Sequence, residues 1–197
     1  FKTHSSLCKV YDTNFTDLHN TLGVIYIVRD PRNVVSSVAH HYNLSIDEAT
    51  ETMLDKNRFM EKTTKNLRVF LGSWNFSYNS WKNLKDQKKY LLIKYEDLVT
   101  KKRTVLLKVF KFLGSLGMKF DLDMIKLNKV IKNTEFEKMK IKEQNEIFFE
   151  AVADKEGKRK NFFNLGPKND WRRLLDEKNR DKLEQNFKKE MIELGYL

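Results

Sequence analysis

The sequence predicts an α/β domain of three layers, a central parallel sheet flanked by helices. Three observations predict it. Val24 to Val28 are five consecutive apolar residues, all β-branched or aromatic, which reads as a strand buried on both faces. The turn Arg29-Asp30-Pro31-Arg32 follows, and Val34, Val35 and Val38 then recur at helical spacing. A second apolar run, Tyr90 to Tyr95, supplies another buried strand.

The elements follow in order. Asp30 and Pro31 are an N-cap and a favoured first helical residue, so the opening unit is strand, tight turn, helix. Ser45 and Glu48 have capping-box spacing and start a second helix. From Ile46 to about Asn83 the pattern predicts two helices, the second presenting Val69, Phe70, Trp74, Tyr78 and Trp81 on one face. A helix from about Lys101 turns Val105, Leu106, Val109, Phe110 and Leu113 inward and stops at Gly114. A short helix from Leu122 to Lys132 is followed by polar residues, Lys138 to Arg159, read mostly as loop. The last helix, Asp176 to Leu194, carries Leu183, Phe187, Met191 and Leu194 inward and stops at Gly195. No repeat or linker interrupts the chain, which reads as one domain over residues 1–197.

Composition narrows the function. Of 197 residues, 40% are hydrophobic, and 14 Phe, 7 Tyr and 3 Trp supply a core that a disordered chain lacks. No apolar stretch approaches the roughly 20 residues that cross a bilayer, so no membrane partner is expected. The single cysteine, Cys8, excludes an internal disulfide and a Cys-rich metal site, and with the polar opening "FKTHSSLCKV" points to a cytoplasmic protein. The net charge of +11 attracts polyanions. The same lysines, interleaved with acids as in "DEKNRDKLEQNFKKE", also read as a solvated helix face.

Where a parallel strand ends, the next helix aims its N-terminus and its unpaired N–H groups at the ligand crevice. Arg29 stands at that place with a planar charged fork suited to phosphate, and Ser36 and Ser37 follow with hydroxyls. One reading is a phosphate pocket. The other pairs Arg29 with Asp30 or Glu96 and leaves the serines to let helix and sheet approach.

These residues carry a resemblance. "YIVRDPRNVVSSVAHHY" resembles the 3′-phosphate segment of the PAPS-dependent sulfotransferases. "FKTH" is similar to that family's Lys-Thr-His segment, "FLGSWNFSYNSW" to its Gly-Ser-Trp segment and "LLIKYEDL" to its Tyr-Glu-Asp strand. "NTEFEKMK" resembles the adenine contact, "GPKNDWRR" the Gly-x-x-Gly-Asp-Trp region, and "ELGYL" the close of bacterial members. The matches run in family order over essentially the whole chain. The resemblance implies a P-loop-nucleotide-kinase-like fold and transfer of a sulfuryl group from PAPS to a hydroxyl or amine of a small-molecule acceptor. PAP would be the product, with no metal and no nucleic-acid partner.

By that resemblance Arg29 and Ser37 grip the 3′-phosphate, and Tyr95, Thr134 and Phe136 surround the adenine and its ribose-phosphate. Gly166 keeps its place beside the 3′-phosphate. Core packing is the alternative for Phe136, and a structural hydroxyl bond for Tyr95. His4 would be the general base, since imidazole titrates near neutrality, and Lys2 would neutralise charge on the transferring group. His40 and His41 are read as structural. The acceptor walls are expected at residues 43–66 and 140–160, including Met53, Phe59, Met60, Phe148 and Phe149. Oligomeric state is left open.

The chain departs from the family in three places. The phosphosulfate loop is absent, and Gly23, Gly72, Gly114 and Gly117 do not replace it. Two buried strands are also fewer than the five or so usual for such a sheet, and the chain opens on Phe. An N-terminal strand and loop are therefore expected to be missing, and the chain alone is not expected to be active. The family's Arg-Lys pair before Gly166 is Asn164-Leu165, for which Lys158, Arg159, Lys160 or Lys168 are the available substitutes. Asn169 replaces the second glycine, a mild change if the backbone there is left-handed. Two other functions compete: a nucleotide-kinase-like phosphotransferase using Glu96 or Asp97, and a non-catalytic basic polyanion-binding protein.

Overall fold

The computed structural model describes residues 2–197 except 11, 18, 62–67, 87, 146–151 and 154–155. The strands are β1 (Lys9–Val10), β2 (Thr13–Asn14), β3 (Val24–Val28), β4 (Phe59–Met60), β5 (Val69–Phe70), β6 (Tyr90–Lys94), β7 (Val152–Ala153) and β8 (Arg159–Lys160). The helices are α1 (Pro31–Tyr42), α2 (Ile46–Leu54), α3 (Trp74–Lys82), α4 (Tyr95–Thr100), α5 (Lys102–Ser115), α6 (Met124–Asn133), α7 (Phe136–Asn145), α8 (Trp171–Leu174) and α9 (Glu177–Glu193).

The two apolar runs pair with each other. β3 and β6 are parallel and in register, Val24 opposite Tyr90 and Val28 opposite Lys94. Val28 packs with Tyr78 of α3 and Leu194, together with Tyr26 and Leu92. The expectation of burial on both faces of β3 is corrected: Ile25 and Ile27 are 38% and 55% exposed. Successive strand residues face opposite ways, and α5 covers the second face at β6 while leaving it open at β3.

The larger core lies between α1, α2 and α9. Val35, Ala39, Ala49, Met53, Leu183, Phe187 and Met191 close on one another there. The local signals act as their chemistry dictates. The Asp30 side chain accepts from the Arg32 N–H with Pro31 behind it, and Ser45 and Glu48 form the full capping box. Gly195, at φ 67°, ends α9 in the left-handed region.

Four boundaries differ from the expected ones. Val69 and Phe70 form the hairpin strand β5 with β4 rather than the face of a helix. Tyr95 leaves β6 and begins α4. α5 runs past Gly114, because the left-handed residue that closes it is Gly117, at φ 93°. There the Met118 N–H donates to Leu113 O and the Gly117 N–H to Gly114 O, a Schellman closure. Residues 138–145, part of the stretch read mostly as loop, belong to the helix α7, whose one buried position is Glu143.

One ion pair ties α3 to α9. Glu193 accepts from the Tyr78 hydroxyl at 3.0 Å and from the Lys82 ammonium. Lys82 foremost holds the Glu193 carboxyl below its ordinary range, against the opposing pull of burial. A carboxyl depressed in the folded state contributes stability above its unfolded pKa and loses it as pH falls through the folded value. The melting-temperature difference between the parent and Lys82→Met is therefore expected to shrink as pH drops below about 4.5. Thermal melts across that range measure it.

Candidate active site

A cleft of about 1100 Å³ opens at the carboxyl end of β3 and along α1. Lys2, His4, Arg29, Ser37, Tyr95, Phe136 and Gly166 all line it. The fold thus brings together, from five separate stretches, residues up to 164 positions apart.

The first stretch is held by backbone bonding. The Ser6 N–H donates to Phe70 O at 2.8 Å and its hydroxyl to Leu71 O, while Trp81 Nε1 donates to Ser5 O at 2.9 Å. Ser5 and Ser6 are buried by these contacts, and Lys2 and His4 extend from them into the cleft.

Arg29 leaves β3 at its last turn into α1. Its Nη2 donates to Gly166 O at 3.1 Å, and its guanidinium lies 4.3 Å from the centre of the Tyr95 ring. Among the described residues the buried Nε has no hydrogen-bond partner. Burial lowers the pKa of Arg29, with Tyr95 and Glu96 opposing, yet a guanidinium remains charged. The alternative pairing with Asp30 or Glu96 does not form. Asp30 caps α1 and pairs with Arg32 at 2.7 Å, and Glu96 accepts from the Asp30 N–H and the Tyr196 hydroxyl. Arg32 is the structural arginine: it also pairs with Glu184 at 2.6 Å and lies 4.0 Å over the Trp171 ring.

Gly166 has φ 53°, and a Cβ there would fall inside contact distance of the Phe136 ring. That close approach brings the start of α7 against the Arg29 end of the cleft. Thr134 is not brought there. It is exposed at the C-terminus of α6, its hydroxyl donates to Val130 O at 2.8 Å, and its carbonyl accepts from Lys102.

Asn169 is extended, φ −71° and ψ 101°, so tolerance of a left-handed backbone is not what admits it. Its side chain instead docks on α1. Nδ2 donates to Asn33 O at 2.8 Å and lies 3.4 Å from Ser37 Oγ, while Oδ1 accepts from Ser36 at 2.9 Å. The Asn33 side chain in turn accepts from the Trp171 N–H. The exposed Ser37 hydroxyl is thus oriented by a residue for which the sequence offered only a backbone argument.

None of the four basic substitutes for the Arg-Lys pair lines the cleft. Lys160 donates to His40 O and Asn43, and Arg159 donates to Glu143 O. The segment is held from behind by Glu143, whose carboxylate accepts from the Phe162 and Phe163 N–H groups. No sequence signal marked Glu143; its solvent-like composition is overridden by backbone donors that only the fold delivers. His40 lies in the lining with its ring nitrogen 2.8 Å from Asn161 O.

At the other end, Met53 and Met60 line the cleft, and Phe59 does not, packing on Phe70 at 4.9 Å. Phe148 and Phe149 lie outside the described residues. Arg58, inside the expected 43–66 wall but not singled out there, lines the cleft with its guanidinium 5.1 Å from the Tyr42 ring. The glycines do not form a phosphosulfate loop among the described residues. Gly23 sits against Leu116, Gly72 against Phe76, and Gly117 closes α5.

A sulfotransferase-domain family model matches residues 1–195. Sulfotransferase 2A1 of Macaca fascicularis is 27% identical over 171 residues, covering 87% of this chain and 57% of that protein. The amine sulfotransferase of Oryctolagus cuniculus is 26% identical over 177 residues, covering 88% and 56%. The chain spans a little over half the length of these curated relatives. A mouse sulfotransferase complexed with PAP superposes with a TM-score of 0.61 at 26% identity, over 86% of this chain and 58% of that one. Retinol dehydratase, in complex with androsterone and inactive cofactor PAP, shares the fold with a TM-score of 0.59 at 21% identity, over 86% and 47%. The ordered motifs, the β3–α1 crevice and the family match agree: the chain belongs to the sulfotransferase family.

Proposed function

We propose that the protein transfers a sulfuryl group from PAPS to a hydroxyl or amine of a small-molecule acceptor. The observation that carries this is Arg29, a half-buried guanidinium at the mouth of a strand–helix crevice, whose buried Nε is unpartnered among the described residues. That orphaned donor, the exposed Ser37 hydroxyl beside it in the lining, and the Gly166 approach to Phe136 fit a phosphate attached to a flat base.

When bound, PAPS supplies an activated sulfuryl group whose bond to the 5′-phosphate oxygen breaks with its electron pair leaving on PAP. Arg29 and Ser37 hold the 3′-phosphate, and Tyr95 and Phe136 flank the nucleoside. His4 accepts the acceptor proton, which makes a poor nucleophile competent. Lys2, a compact cation in the same stretch, offsets negative charge at the transferring group. Positioning and charge provide most of the rate in such loose in-line transfers. A cytoplasmic location belongs to the same proposal and rests on the lone free thiol of Cys8.

The competing functions lack support in the geometry. Glu96 accepts from the Asp30 N–H and the Tyr196 hydroxyl, and Asp97 pairs with Lys101 at 3.3 Å. Two aromatics of α3, Tyr78 and Trp81, are buried at 2% and 6% exposure and cannot stack bases.

Calorimetric titration of PAP into the chain at two salt concentrations tests the reading, with ATP and an RNA oligomer beside it. One-to-one binding that prefers PAP is expected. Arg29→Ala is expected to weaken it roughly tenfold to a hundredfold, the scale of a hydrogen bond to a charged group. Equal binding of all three ligands that fades equally with salt would refute a specific site.

A further inference from the structure

The cleft has a third cation, Arg58, that the cofactor reading does not use. Tyr42 ends α1, about 16 Å along the helix axis from Pro31, and Arg58 stands over its ring. Arg58 is therefore placed at the end of the cleft away from Arg29. Its backbone has a clear structural duty: Arg58 O accepts from the Leu71 and Gly72 N–H groups at 2.9 and 3.0 Å. Its side chain has none of that kind. Among the described residues no carboxylate lies within ion-pairing distance of it, and no Asp or Glu lines the cleft.

The stretch that carries His4, the proposed base, is joined to this end of the cleft through Leu71. The Leu71 carbonyl accepts the Ser6 hydroxyl, so Leu71 links Arg58 on one side to the His4 stretch on the other. Met53, Met60 and Leu71 supply apolar lining between them. A half-buried guanidinium on an apolar wall is costly without a counter-charge, and its fork matches a carboxylate in two parallel hydrogen bonds. The fold supplies no such carboxylate here.

We propose that the acceptor itself carries a carboxylate, held by Arg58 while its hydroxyl or amine meets His4. This rests on the sulfotransferase reading of the cleft and narrows it to an acidic acceptor class.

Two probes differ in that group alone: 4-hydroxyphenylacetate and 4-methylphenol share the ring and the hydroxyl. Each is titrated calorimetrically into the chain, with and without saturating PAP. The acid is expected to bind at least tenfold more tightly. That preference is expected to fall below threefold in Arg58→Gln and to return in part in Arg58→Lys, which also serves if Arg58→Gln fails to fold. Equal affinities in the parent, no binding of either probe, or a preference kept by Arg58→Gln overturns the proposal. PAP titrated alone separates the two readings. PAP binding without a carboxylate preference sinks only the acidic acceptor, whereas a preference without PAP binding sinks only the cofactor site.

Discussion

Gly166→Ala is expected to lower the melting temperature by roughly 5–15 °C and to abolish measurable PAP binding. Two costs act together. The backbone at φ 53° is one that an L side chain adopts at a cost of order 1–3 kcal/mol. The new methyl would also collide with three atoms of the Phe136 ring, and overpacking of that kind costs about 1–3 kcal/mol. The ring cannot yield freely, because it also meets Phe163 edge-on at 5.9 Å. Relief has to come from the segment moving away from α7, which withdraws the Gly166 carbonyl that Arg29 holds. Phe136→Ala in the Gly166→Ala background removes the collision and leaves the dihedral cost. It is expected to recover part of the stability, and an additive double mutant would show that the contact is not the cause.

Glu143→Ala is expected to destabilise the protein by about 2–4 kcal/mol, since two backbone N–H groups lose their shared acceptor. Glu143 is 1% exposed, so water does not readily replace it. The Phe162–Phe163 stretch that it grips leads directly into Asn164, Leu165 and Gly166 of the cleft wall. PAP affinity is therefore expected to fall along with stability, although Glu143 does not line the cleft. Glu143→Gln keeps one acceptor oxygen and is expected to lie between the parent and Glu143→Ala in urea denaturation. A Glu143→Ala protein with unchanged midpoint and unchanged PAP affinity would dismiss this clamp.

How much the chain reveals before folding differs from element to element. The β3–turn–α1 unit was readable because its causes are local: a β-branched run, a capping aspartate and a proline at the first helical position. The α9 face was readable for the same reason, and its four expected inward residues are all buried. The hairpin β4–β5 was not, since its short strands depend on pairing across a turn rather than on their own pattern. α7 was hidden by a polar composition whose one buried residue faces backbone donors from twenty positions away.

The site divides in the same way. Arg29, Ser37 and His4 were accessible to sequence reasoning, because ordered motifs and a strand–helix junction mark them. Thr134 was named by resemblance and faces its own helix instead. The sequence by itself determined the strand–turn–helix crevice, the core faces of α1 and α9, and the family. Only the tertiary structure decided that Asp30 is taken by Arg32, leaving Arg29 to the cleft, and that Asn169 rather than a glycine orients the serines. It alone placed Arg58 in the lining of the cleft. The physical reason is range: caps and periodicity act within a few residues. Ion-pair choice and the orientation of a hydroxyl depend on groups more than a hundred positions apart.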